Sequence, residues 1–290
     1  MVGVVLALRN LPAEQPRPDA RLDVVGLLLL APGVVGIIYG LSRVAGAGGF
    51  STAQVLTPLI AGVALVAAFA GWALRREGRA LIDVRLFRHR PLSSGSLLGF
   101  FAGFTLYGAM LLLPLYFQQV RGESALGTGL LLIPQGVGTL MSRGVAGRYT
   151  DLIGPRTVAL VGFLVVIVAT IPFAFVTPHT DYVWLMAALL VRGLGMGVVI
   201  IPLTGASFIG LAHHEVPDAS IITRVMQQVG GSMGTAVLAV VLQHAAASSH
   251  NPDEVSAGFR DAFWWAIAFT AAAVPLCLIL PEQVNRNARP

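Results

Sequence analysis

The stretch TVALVGFLVVIVATIPFAFV (157–176) holds twenty residues without a charge, and comparable apolar runs recur along the 290-residue chain. Runs of that length constrain the fold more than any other feature. In the core of a bilayer every backbone N–H and C=O must be bonded internally, so a spanning segment is either a helix or a strand of a closed barrel. Barrel strands are about ten residues long and alternate strictly between apolar and polar positions. These runs are twice that length and do not alternate, so they are helices crossing a membrane. Composition agrees: 56% of the residues are hydrophobic and 11% are charged, whereas a soluble domain carries about 25% charged residues.

Eight spans are expected, near 22–43, 53–75, 93–117, 126–146, 157–176, 182–208, 220–244 and 261–281. The net charge of +5 does not mark a nucleic-acid partner, because the basic residues lie between apolar runs instead of forming a patch. All 19 are arginine. With the segment before the first span on the inner side, 15 arginines fall inside, Arg43, Arg121 and Arg260 fall outside, and Arg192 lies within a span. Cytoplasmic loops carry the positive excess, so both termini are expected in the cytoplasm. Arginine without lysine, in a chain rich in Ala, Gly, Val and Leu, suggests a GC-rich bacterial genome and hence a bacterial inner membrane.

The expected organisation has five parts. Residues 1–21 comprise the apolar end of a helix whose earlier part lies upstream, followed by a Pro-rich linker. Two spans fill 22–75, and an Arg-rich cytoplasmic connection covers 76–92, either along the headgroups or as a solvated loop. Six spans occupy 93–281, and 282–290 is a cytoplasmic tail. The single Cys277 sits in an apolar run and excludes a disulfide framework or a cysteine metal site. His213 and His214 are adjacent and point apart on a helix, a poor metal pair. The glycines of RGLGMG (192–197) follow no strand, so they are not a dinucleotide loop. No Ser-His-Asp arrangement or phosphate loop appears, so neither enzymatic activity nor a bound cofactor is expected.

GRYTDLIGPR (147–156) concentrates charge and turn formers in a chain poor in both. It resembles the cytoplasmic loop motif of the major facilitator superfamily, with Gly147, Asp151, Gly154 and Arg156 at the matching positions. Leu152 and Pro155 depart from the pattern, as in the weaker copy of the C-terminal half. LLPLYFQQVRGESALGTGLLLIPQGVG (112–138), RGLGMGVVIIPL (192–203) and RVMQQVGGSMGTAVLAVVL (224–242) are similar to helices of the 14-span drug:proton antiporters of the EmrB/QacA type.

The resemblance implies two central helices followed by the six-helix C-terminal bundle of such an exporter, with a six-helix N-terminal half as the missing partner. It implies alternating access and proton-coupled export of hydrophobic or amphiphilic small molecules, cations among them. The opposing expectation is a truncated or partner-dependent membrane module with no transport of its own.

Within this frame Asp151 and Arg156 are expected to clasp one bundle to another. Asp151 either caps the next helix or pairs with an arginine, Gly147 allows close helix approach, and Gly154 makes a turn with positive φ. Arg192 stands about ten residues into its span, where a charge costs ~2.5–3.5 kcal/mol on insertion scales. It is therefore expected to face a transport cavity or to pair internally. Gln135, after Pro134, and Gln227, before Gly230 and Gly231, are the other pathway candidates, with interhelical hydrogen bonding as the alternative. Gly95, Gly99 and Gly103 share one helix face and are expected to permit close packing. No carboxylate lies deep in a predicted span, so the coupling proton is expected to bind elsewhere in the complete architecture.

Overall fold

The computed structural model describes residues 23–44, 46, 49–76, 80–177, 179–247 and 252–282. The expected upstream helix end, linker and C-terminal tail lie almost wholly outside them. Among the described residues the chain is all-helical, with eight long helices: α1 Val24–Arg43, α2 Ala53–Arg75, α3 Arg90–Leu115, α4 Ala125–Ile153, α5 Pro155–Thr170, α6 Tyr182–Ser207, α7 Val216–Ala247 and α8 Pro252–Cys277. The first seven are long and apolar enough to cross a membrane. The eighth, which carries Arg260 and Asp261 in its first half, is not among them. It nevertheless packs against α3, α5 and α7 as a member of the bundle.

Helix starts follow from short polar side chains that accept the orphan N–H groups of the first turn. Asp23 accepts from Gly26 N (3.0 Å), Ser124 from Gly127 N (3.0 Å) and Asp181 from Val183 N (2.8 Å). At its far end α3 loosens into a π turn, Tyr116–Val120, in which Arg121 N donates to the Tyr116 carbonyl five residues back (3.4 Å).

The helix pair α1/α2 closes through glycine. A Cβ on Gly62 would lie 2.6 Å from Ile37 N and 2.7 Å from the Gly33 carbonyl, so the two backbones nearly touch. From residue 80 onward the Arg-rich connection is folded down instead of free. Leu81 N donates to Asp23 (3.1 Å), Asp83 N donates to Asp218 at the start of α7 (3.1 Å), and a 3-10 turn spans Val84–Arg88. Phe69 and Ala73 of α2, Ile82 and Leu86 of the connection, Leu92 of α3 and Ile222 of α7 then form one apolar cluster. The connection is thus one joint between the pair and the bundle; a second is direct, where Leu41, Val44 and Val55 pack with Ala236 of α7.

The bundle has two cores. One gathers Phe104, Tyr116, Phe117, Phe173, Phe259 and Phe263. The other holds Leu98, Phe163, Val199, Leu203 and Ala273 nearer the end where α3 begins and α6 finishes. Glycines set the spacing. A Cβ at Gly103 would strike the Gln227 carbonyl, and one at Gly230 would strike the Phe100 carbonyl, so α3 and α7 run in backbone contact. The close packing expected of the 95/99/103 stripe is therefore intramolecular at Gly103, against α7.

Candidate functional site

The interior of the bundle carries a polar node centred on Arg192, eleventh residue of α6 and only 3% exposed. Its Nη2 donates to the Thr105 carbonyl of α3 (3.0 Å), its Nη1 to Gln135 Oε1 of α4 (3.3 Å), and its Nε to Thr170 Oγ1 of α5 (3.4 Å). The hydroxyls complete the set. Thr170 donates to the Val166 carbonyl (2.7 Å), leaving its lone pairs to the guanidinium. Thr105 Oγ1 meets Thr270 Oγ1 of α8 at 2.9 Å. One side chain thus ties α6 to α3, α4 and α5, and through Thr105 reaches α8. Every acceptor is neutral. A buried cation held this way keeps its hydrogen bonds but lacks a counter-charge, a costly arrangement that is stable only when geometry supplies several good acceptors.

The glycines of RGLGMG explain how α6 gets close enough. A Cβ on Gly193 would collide with the Gln135 carbonyl and one on Gly197 would lie 2.6 Å from the Thr139 carbonyl, both on α4. One on Gly195 would lie 3.0 Å from Val166 N on α5. Alternate glycines therefore admit alternate neighbours, and α6 is sandwiched between α4 and α5.

The pathway candidates separate. Arg192 and Gln135 meet in the node, where Gln135 makes the interhelical hydrogen bond that was its alternative role. Gln227 lies elsewhere, on the wall of a cavity of about 450 Å³ bounded by α3, α6 and α7 with Arg143 of α4 at its edge. Neither Arg192 nor Gln135 borders that cavity. It sits toward the Arg-rich ends of the helices, between Gly95–Tyr107 on α3, Ile200–Ser207 on α6 and Ser220–Gln227 on α7. Two of its lining residues, Arg143 and Arg224, read in the sequence as topology signals. The clue to a further role is that both fall inside apolar spans and not between them.

The 147–156 segment requires a correction. It is not a loop: α4 continues through Gly147 and Asp151 to Ile153, and the break is Gly154 alone, with φ +88°. RYTDLI contains no helix breaker, and Gly147 within the helix costs only about 1 kcal/mol relative to Ala, so the helix runs on until Gly154 adopts a positive φ. Gly154, buried and without a side chain, occupies the N-cap of α5, with Pro155 following at the first helical position, where its missing N–H costs nothing. Asp151 therefore does not cap α5 but occupies the last turn of α4. Gly147 has open space where a Cβ would project, so it mediates no close approach within the described residues. Arg156 pairs with Glu282, just beyond α8, at 2.8 Å.

These features sit in a recognised sequence family. Residues 26–235 match the model described as Major Facilitator Superfamily. The chain belongs to the major facilitator superfamily. Members of this superfamily are membrane transporters, and multi-pass insertion follows from the seven candidate spans. Its similarity extends to a multidrug resistance protein B homolog of Mycobacterium tuberculosis, 37% identical over 244 residues, 83% of this chain and 45% of the relative. An uncharacterized MFS-type transporter, YcnB, of Bacillus subtilis is 33% identical over 78% of this chain and 48% of its own length. The lincomycin resistance protein LmrB of Listeria monocytogenes is 29% identical over 77% of this chain and 47% of its own length. The chain spans about half the length of the curated relatives it matches.

Proposed function

We propose that this chain supplies the cargo-facing cavity of a bacterial inner-membrane exporter of hydrophobic or amphiphilic small molecules, with its Arg-rich end in the cytoplasm. The supporting observation is the 450 Å³ cavity between α3, α6 and α7. That volume lies within the range of drug-sized sites, which pair apolar walls with a few polar groups. It opens between helices that elsewhere approach to backbone contact, so it is a local parting of the seam and not loose packing. Names of relatives that refer to multidrug and lincomycin resistance favour export of small lipophilic compounds.

In this reading the Arg192 node keeps the bundle rigid while the bundle rocks against a second one, exposing the cavity to each side in turn. Asp151 and Arg156, at the Arg-rich membrane surface, bear on that contact as clasp residues. Protons are the proposed coupling ion of the complete transporter. Among the described residues Asp23 is the one buried carboxylate, and it is occupied as a helix cap, so the titrating group belongs to another part of the architecture.

The 45–48% coverage of the relatives favours a second reading, a module that transports only with a partner bundle. Accumulation of a lipophilic dye in efflux-deficient bacteria tests both. Reduced accumulation that depends on Gln227 supports export by the chain itself. Unchanged accumulation, with the chain correctly inserted, sinks that version, and co-expression with the N-terminal half of a relative then tests the module.

A further inference from the structure

The charge lining the proposed cargo cavity carries more information than its size. One part of the wall is apolar: Ala102, Leu106, Ile200 and Leu203. The hydroxyls of Thr204, Ser207 and Thr223 each donate to a carbonyl one turn back in their own helices, at 2.9, 2.7 and 3.0 Å, so their protons are committed. Tyr107, Ser220 and Gln227 add neutral polar groups, and the charged donors of the lining are the guanidinium groups of Arg143 from α4 and Arg224 from α7. Neither makes a hydrogen bond or ion pair among the described residues, and no carboxylate lines the cavity. Each guanidinium offers five N–H donors in a fork that matches a planar oxyanion. Both side chains are exposed and line one cavity, where two like charges repel each other and any incoming cation, whereas an anion between them relieves that repulsion.

We propose that this cavity receives an amphiphile by an anionic head, a carboxylate, sulfonate or phosphate, held by Arg143 and Arg224 with its tail along the apolar wall. The inference rests on the cavity being the cargo site and narrows its occupant to anions, against the cationic cargo that family resemblance alone suggests. Gly95 and Gly99 line the same space; Gly95 packs directly on Ser207 of α6, whereas a Cβ at Gly99 would meet only the Thr223 carbonyl, at 3.9 Å.

The test is a fluorescence titration of the purified chain in phosphatidylcholine nanodiscs with dansylaminoundecanoic acid, its methyl ester and a matched dansyl alkylamine. The carboxylate is expected to bind at least about ten-fold more tightly than the ester, the scale of one or two charge-assisted hydrogen bonds, and the amine more weakly than either. Arg143→Gln with Arg224→Gln is expected to bring the carboxylate down to the ester's affinity at an unchanged size-exclusion profile. Arg143→Lys with Arg224→Lys is expected to keep part of the preference. Repeating the titration with phosphatidylglycerol in the nanodiscs separates two sources of the same chemistry. Displacement of the carboxylate identifies an anionic lipid head as the resident, and its retention identifies a free amphiphile. Equal affinity for carboxylate and ester in the wild type, or a preference that survives the double glutamine variant, overturns the proposal. Because the titration needs no turnover, a chain that keeps the charge preference but exports nothing fails the export reading alone. One that exports without the preference fails this inference alone.

Discussion

The α1/α2 pair and the six-helix bundle are built from comparably apolar segments, yet they are held together differently. In the most apolar windows of α1 and α2, 22% and 17% of positions are buried, against 56% in α3 and 50% in α5 and α6 at the centre of the bundle; α7, at 33%, and α4, at 17%, lie at its margin. The pair meets along glycines and leaves Val35, Ile60 and Val63 exposed. The bundle interdigitates aromatic rings and closes around a buried arginine. Lipid tails are as apolar as leucine, so no hydrophobic gain drives helices together in a bilayer, and association depends on close fit and on polar groups that need partners. The pair relies mainly on the first, with one polar tie from Trp72 of α2 to Asp23 at the start of α1, and the bundle uses both throughout. The bundle is therefore the more closely interlocked of the two.

The largest effect should come from wedging the bundle. Gly193→Val places atoms against the Gln135 carbonyl and is expected to cost about 3 kcal/mol, the upper end of the overpacking range, read as loss of a monodisperse peak and of cooperative melting in detergent. Gly62→Val should open the α1/α2 pair while leaving the bundle's melting in place. A Gly62 variant that melts the bundle equally would erase the distinction between the two regions.

Arg192 sharpens the comparison next. Arg192→Ala leaves a void and three acceptors without their donor, and should lower bundle stability by about 2 kcal/mol. Arg192→Met fills the space without a charge and should stay within about 1 kcal/mol of wild type. Both variants should reduce dye efflux by the complete transporter. Normal efflux from a well-expressed Arg192→Ala protein would confine the residue to structure.

Asp23 tests how the pair is attached. The Gly26 N–H, foremost among its partners, holds its carboxyl below the ordinary 3.8, against the opposing effect of burial, with help from Trp72, the Leu81 N–H and the charge of Arg76. A carboxyl depressed on folding adds stability that is complete above its ordinary value and is lost as the pH falls through the folded one. Melting curves at stepped pH should therefore show wild type weakening below about pH 4 and Asp23→Asn showing no such step. At neutral pH Asp23→Ala should cost about 1 kcal/mol as a lost cap. The smallest effect is expected from Glu282→Gln. Glu282 is 77% exposed in its pair with Arg156, and an exposed pair contributes well under 1 kcal/mol, so melting should barely change.

Legibility differed by kind of feature. The cores of the spans were readable because hydropathy reports directly on the bilayer. Their ends were not. α4 runs to Ile153, α7 begins at Val216 and α8 at Pro252, each several residues beyond its apolar run, because a helix persists past the hydrocarbon edge until something breaks its hydrogen bonds. Arg192 stood out as a charge in an apolar run. Its partners did not: Thr105 and Thr170 are small hydroxyl residues of an ordinary kind, 87 and 22 positions away. The same holds for Arg143 and Arg224, whose sequence context shows the membrane edge and not the shared cavity.

The sequence by itself determined that this chain is a set of membrane-crossing helices and which of their ends gather the arginines, because both follow from what each segment can tolerate in lipid. It also marked Arg192 as a charge that must find internal company. Only the tertiary structure decided which side chains provide that company, where glycine lets backbones touch, and which arginines border a common space. Those are relations between helices distant in sequence. They depend on the rotation and depth at which each helix packs, and hydropathy leaves both undetermined.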